Sequence, residues 1–70
     1  MDAIHRRLAQ NIRERAKARR IAVTHLPDRA DVGRTNFFAV LKGQTSPTVR
    51  WLAKIAKALD CDPADLLARS

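Results

Sequence analysis

Apolar residues recur three and four positions apart along almost the whole chain, the spacing of one face of an α-helix. Ile4, Leu8, Ile12 and Ala16 form the first such stripe. They predict a helix over about 3–19, with Asp2 as its N-cap. Arg6, Arg7, Arg13, Arg15, Lys17, Arg19 and Arg20 fall on the other faces, most of them simple solvated charge. In the next stretch, "IAVTHLPDRADVG", Leu26 and Ala30 supply an apolar side four residues apart. Thr24 is placed to cap a short helix of about 25–31. Pro27 is tolerable in its first turn, where amides lack an intrahelical partner. Val32-Gly33 reads as a turn, with Gly33 supplying the permissive backbone of a tight bend. A third helix, about 34–42, ends at Gly43. Ser46 as N-cap and Pro47 at the first helical position open a fourth, about 47–59, whose inner face is Val49, Leu52, Ile55, Ala56 and Leu59. Asp62 and Pro63 repeat the device for a fifth, about 63–68, with Leu66 and Leu67 facing inward. Period-two alternation and Asn-Gly or Asp-Gly hairpin turns are missing. The expectation is one compact all-α domain of five helices over residues 1–70.

Helices two and three are both short and about three residues separate them, the geometry of a helix-turn-helix. In that arrangement the second helix enters the DNA major groove. Leu26, Ala30, Val32, Phe37 and Val40 fall where such a unit must be apolar. Phe37 and Val40 are an i,i+3 pair, so Phe37 is the inward member of the Phe37-Phe38 doublet. The opposite face then carries Arg34, Thr35, Phe38, Ala39 and Lys42. Charge points the same way: fourteen Lys/Arg against seven Asp/Glu give +7, which favours a polyanionic partner. No stretch approaches the roughly 18 apolar residues of a membrane span, and the first residues lack the apolar core of a secretion signal. A cytoplasmic, nucleoid-associated protein without a membrane partner is therefore expected.

The span "IAVTHLPDRADVGRTNFFAVLKG" resembles, without gaps, the helix-turn-helix segment of the phage Cro/repressor family, also called the xenobiotic-response-element family. "SPTVRWLAKIAKALDCDPADLL" is similar to its downstream helices. The resemblance covers roughly residues 8–67 and implies a lambda-repressor-like fold and a DNA-binding function. It implies that Arg34, Thr35, Phe38 and Ala39 meet base edges. Arg34 is the best placed for bidentate contact with guanine, and Thr35 for a base bond or a thymine methyl. Phe38 and Ala39 offer only apolar packing on thymine methyls. Phe38 is equally open to folding back over helix two or four, or to a protein contact. Lys42, Gln44, Thr45 and Thr48, near the amide-rich start of helix four, match phosphate-contacting positions. Thr24 and Asn36 are further phosphate candidates, and such contacts set register rather than sequence.

Departures from the family are informative. Its favoured Ser/Asn-Gln pair is replaced by Ala22 and Val23. Pro27 stands for a small Ala and should delay the start of helix two. Asp31 stands for a Gly and can enter the left-handed region at little cost. An Arg–Glu salt bridge found in many members is replaced by Ala16 and Leu41, a double loss that preserves the fold where a single one would strand a charge.

Other chemistry is thin. His5 and His25 are isolated, and no carboxylates are spaced for acid–base work. Cys61 reads as a small core residue, so neither metal, cofactor nor enzymatic activity is expected. The function implied is a transcriptional regulator, most simply a repressor, bound to double-stranded DNA as a homodimer. Its half-sites would lie about 34 Å apart. Seventy residues are expected to leave no room for a separate dimerisation domain, so the interface is expected on helices four and five or the termini, with Arg50, Trp51, Leu66 and Leu67 as candidates; Trp51 reads equally as a partly buried anchor of helix four. The competing reading is a protein-interaction or antitoxin-like module, with a protein partner, built on the same scaffold.

Overall fold

A computed structural model describes residues 3–68. It contains α1 (Ala3–Ala18), a 3-10 turn (Val23–His25), α2 (Leu26–Ala30), α3 (Arg34–Leu41), α4 (Val49–Ala58) and α5 (Pro63–Leu67). No strand occurs among the described residues, and Asp2 lies outside them. Helix α1 packs against α3 and α5, while α2 rests on α4. Its buried stripe is Leu8, Ala9, Ile12 and Ala16. Ile4, expected in that stripe, is 61% exposed, so the buried stripe begins at Leu8. Ala16 and Leu41 are both buried in the common core. An apolar pair there needs no partner, whereas a lone charge would.

The helices end alike. After α1, α2, α3 and α4 the chain turns through a left-handed residue: Arg20, Asp31, Gly43 and Asp60 respectively. Each turn is closed by two backbone bonds. The amide after the left-handed residue returns five positions, as in Ile21 N–H to the Ala16 carbonyl and Gln44 N–H to the Ala39 carbonyl. The left-handed residue's own amide returns three, as in Gly43 N–H to the Val40 carbonyl. Together they satisfy carbonyls that a helix end otherwise leaves orphaned. The bend between α2 and α3 therefore draws its positive φ from Asp31, at φ 57 and ψ 49, not from Gly33. Gly33 is extended, at φ −64 and ψ 134, and any residue can adopt that.

Two helix starts differ from expectation. Thr24 does not cap α2; it sits inside the 3-10 turn, and the α-helix begins at Leu26 with Pro27 in its first turn. Helix α4 is capped not by Ser46 but by Thr48, whose hydroxyl accepts the Trp51 amide at 3.0 Å. The inner face keeps Ile55, Ala56 and Leu59 and is shifted at its first turn. Val49 is left 82% exposed, and Trp51 takes the inner position with Ile55, Ala56 and Leu59, while Leu52 packs half-buried at its edge.

The core is completed by Leu26, Ala30, Phe37, Val40, Trp51 and Leu66. The Phe37 ring lies 6.0 Å from Trp51. Fully burying a side chain of this size contributes about 1.5–3 kcal/mol. Leu66 is buried, but Leu67 is 40% exposed, since a five-residue helix docked by one side cannot enclose two successive leucines. Helix α5 is anchored by a buried polar group. The Asn11 amide of α1 donates to the Leu66 and Ala68 carbonyls, both at 2.8 Å. At the opposite corner Arg19 pairs with Asp60 at 2.8 Å.

Candidate nucleic-acid interface

The orientation of α3 follows from what holds its back. Phe37, Val40 and Leu41 are buried, and Asp31 sets the angle between α2 and α3. From α4, the Lys54 ammonium donates to the Asp31 carbonyl at 3.2 Å, fixing the turn against the helix beneath it. Pro27 is itself buried, so the residue that delays α2 also wedges it onto the core. What α3 leaves in solvent is its leading end: Arg34, Thr35 and Asn36 are exposed. Gly33 caps the helix without a side chain and its first turn holds no acidic residue, so nothing on this helix opposes an approaching phosphate.

Arg34 is not loose. Its Nη1 donates to the Thr24 carbonyl at 3.1 Å and to the Asp28 carboxylate, Oδ2, at 3.4 Å. Both side chains remain more than half exposed, at 54% and 70%, so the ion pair adds little stability. Phe38 is half-buried and packs on the core, with its ring edge-on to Phe37 at 5.1 Å. The expected outward Phe38 is thus only partly outward, because the neighbouring ring draws one edge of it down. Ala39 is likewise half-buried. Lys42, Gln44, Thr45 and Thr48 are exposed beyond the end of α3, as is Thr24 on the preceding turn. Thr48 already uses its oxygen as the α4 cap and keeps its hydroxyl proton free to donate. Ala22 is exposed and Val23 packs on the core, and neither offers a hydrogen-bonding side chain.

The residues expected at a dimer surface divide. Arg50 and Leu67 are exposed, whereas Trp51 and Leu66 are core residues, 5% and 0% exposed. Trp51 is enclosed because it lies four and eight residues before the buried Ile55 and Leu59, on the same stripe of α4, and Leu66 because Asn11 draws α5 onto α1. His25 is exposed. Burial pushes the Cys61 thiol up from its ordinary value, against the lowering influence of Arg15, which leaves it a poorly reactive packing residue. No group of three or more His, Cys, Asp or Glu suited to a metal occurs among the described residues. No described helix is long and apolar enough to cross a membrane.

Contacts that lay beyond sequence reasoning include Asp28 with Arg34, Lys54 with the Asp31 carbonyl, Asn11 with the end of α5, and Arg19 with Asp60. None follows from periodicity. The one available signal is the pairing of Asp28 and Arg34 across a turn already suspected from its length.

A short helix, a left-handed turn and a second helix with its back buried and a basic leading end define the helix-turn-helix class of DNA-binding domain. The family model of the Cro/C1-type HTH DNA-binding domain matches residues 11–70. The chain belongs to this family, whose members are DNA-binding regulators. Among curated proteins and solved structures, none matches it.

Proposed function

We propose that this chain is a transcriptional repressor that binds operator DNA as a homodimer, with α3 in the major groove of each half-site. The observation that carries the reading is the exposed leading end of α3, with Arg34, Thr35 and Asn36 in solvent while Phe37, Val40 and Leu41 anchor its back. Arg34 reads a guanine through O6 and N7, and Thr35 bonds an adjacent base. The free edge of Phe38 and the Ala39 methyl pack on thymine methyls. Thr24, Asn36, Lys42, Gln44, Thr45 and Thr48 hold the flanking phosphates and set the register. A second copy meets the first through Arg50 and Leu67, and the pair covers half-sites about 34 Å apart. Occupancy of such a site blocks polymerase without further machinery, and places the protein at the cytoplasmic nucleoid.

The test is a salt titration on random duplexes and on duplexes selected from a random pool. Binding should weaken with a log–log slope of about −0.9 per phosphate neutralised. Arg34→Ala should cost the selected site about 1–3 kcal/mol and leave the random duplex nearly unaffected. Equal affinity for both pools would count against base readout. A second reading, a protein-interaction or antitoxin-like module, draws on Ala22 and Val23, which give the start of the unit no side-chain anchor for a phosphate. A salt response too shallow for several phosphate contacts would favour it.

A further inference from the structure

The Arg34–Asp28 contact ties the exposed end of α3 back to α2, and its geometry is selective. Nη1 of a guanidinium carries two hydrogens. Here that nitrogen donates to the Thr24 carbonyl at 3.1 Å and to Asp28 Oδ2 at 3.4 Å. Both acceptors belong to the preceding 3-10 turn and α2, so they hold one side of the group. The opposite edge, formed by Nε–H and Nη2–H, is the pair of parallel donors that matches two acceptors side by side.

We infer that Asp28 is a specificity-positioning residue: with the Thr24 carbonyl it holds Arg34 so that the Nε/Nη2 edge faces a single guanine. The inference rests on the base-reading role proposed above for Arg34. A long side chain free in solution must give up rotamer freedom on binding, and it can spend its charge equally on a nearby phosphate. Tethering Nη1 removes part of the first cost. It also takes away the hydrogens with which the group would reach sideways to the DNA backbone. The carboxylate has an opposite effect as well, since it repels phosphates wherever the protein lands. The two effects have different signatures: repulsion is independent of sequence and weakens with salt, whereas positioning acts at one base pair.

The test uses the full chain and five proteins: wild type, Asp28→Asn, Asp28→Ser, Arg34→Lys and the Asp28→Asn/Arg34→Lys double variant. Affinities are measured for the selected duplex, for versions substituted at each base pair in turn, and for a random duplex. Asp28→Asn should lower the preference for guanine at one position by about two- to fivefold, the scale of an exposed ion pair. Preferences elsewhere should be unchanged, and random-duplex affinity equal or higher. In the Arg34→Lys background the same change should have no effect on discrimination. Asp28→Ser, which also suits a helix start, should repeat the loss, and thermal melts establish that each variant is folded. Uniformly tighter binding by Asp28→Asn with the base preferences intact would overturn the inference and leave Asp28 a repulsive charge only. A different failure, wild type and Arg34→Lys sharing every base preference, would overturn the role of Arg34 itself and this inference with it.

Discussion

Phe37 and Phe38 are neighbours in sequence and differ in depth: one ring is enclosed, the other lies edge-on across it with a side toward solvent. Phe37→Ala removes a ring that packs against both Phe38 and Trp51, and should cost about 3–5 kcal/mol in urea unfolding. Marginal stability of roughly 0.05–0.15 kcal/mol per residue leaves a chain of this length little beyond that. Phe38→Ala should cost less, about 1–2 kcal/mol, because part of its surface is already in water. Equal losses would contradict the assigned depths. Periodicity identified Phe37 as the inner ring through its i,i+3 relation to Val40. It could not say how far Phe38 turns away, since a repeat of apolar positions reports direction around a helix and not the reach of a neighbouring aromatic. Trp51 shows the same limit: it reads equally as a partly buried anchor or a dimer contact, and the fold settles it as a core residue on the stripe of Ile55 and Leu59.

The succession of helices was readable from apolar residues at helical spacing, whereas the left-handed Arg20, Asp31 and Asp60 that end three of them, and the helix starts, were less legible. Ser46-Pro47 and Thr48-Val49 both satisfy the chemistry of a helix opening, and choosing between them needs the packing of Trp51. The 3-10 turn before α2 was hidden for a related reason, since residues 23–25 carry no stripe of their own. Asn11 is the clearest case of an element-scale role without a sequence signal. An amide in mid-helix reads as solvent-facing until α5 is known to lie against it. Asn11→Ala should leave two carbonyls at the end of α5 without their donor, at a cost of about 2–3 kcal/mol. Hydrogen exchange should show α5 losing protection well before α4. If exchange in the two helices changed together, α5 would be held by Leu66 alone.

At the scale of the molecule, charge acts in two directions. Fourteen basic side chains against seven acidic ones draw the protein to DNA and at the same time repel one another in the folded state. Among the described residues, Asp60 is committed to a pair with Arg19 and Asp28 to one with Arg34. Raising salt from about 0.05 to 0.5 M, which shortens the screening length severalfold, should raise the Tm of the free protein and weaken its complex with DNA. A free-protein Tm that falls with salt would show that its ion pairs outweigh the repulsion. The ties that orient the helices have a further property. Asn11, Arg34 and Lys54 reach across the fold to the main-chain oxygens of residues 66, 68, 24 and 31, so in each bond only the donor is written in a side chain. Substitution at a receiving position keeps the oxygen in place, while substitution at a giving position deletes the bond. Mutational tolerance in this small protein should therefore be lopsided: permissive at the exposed Ala68, strict at Asn11, although both lie at the same contact.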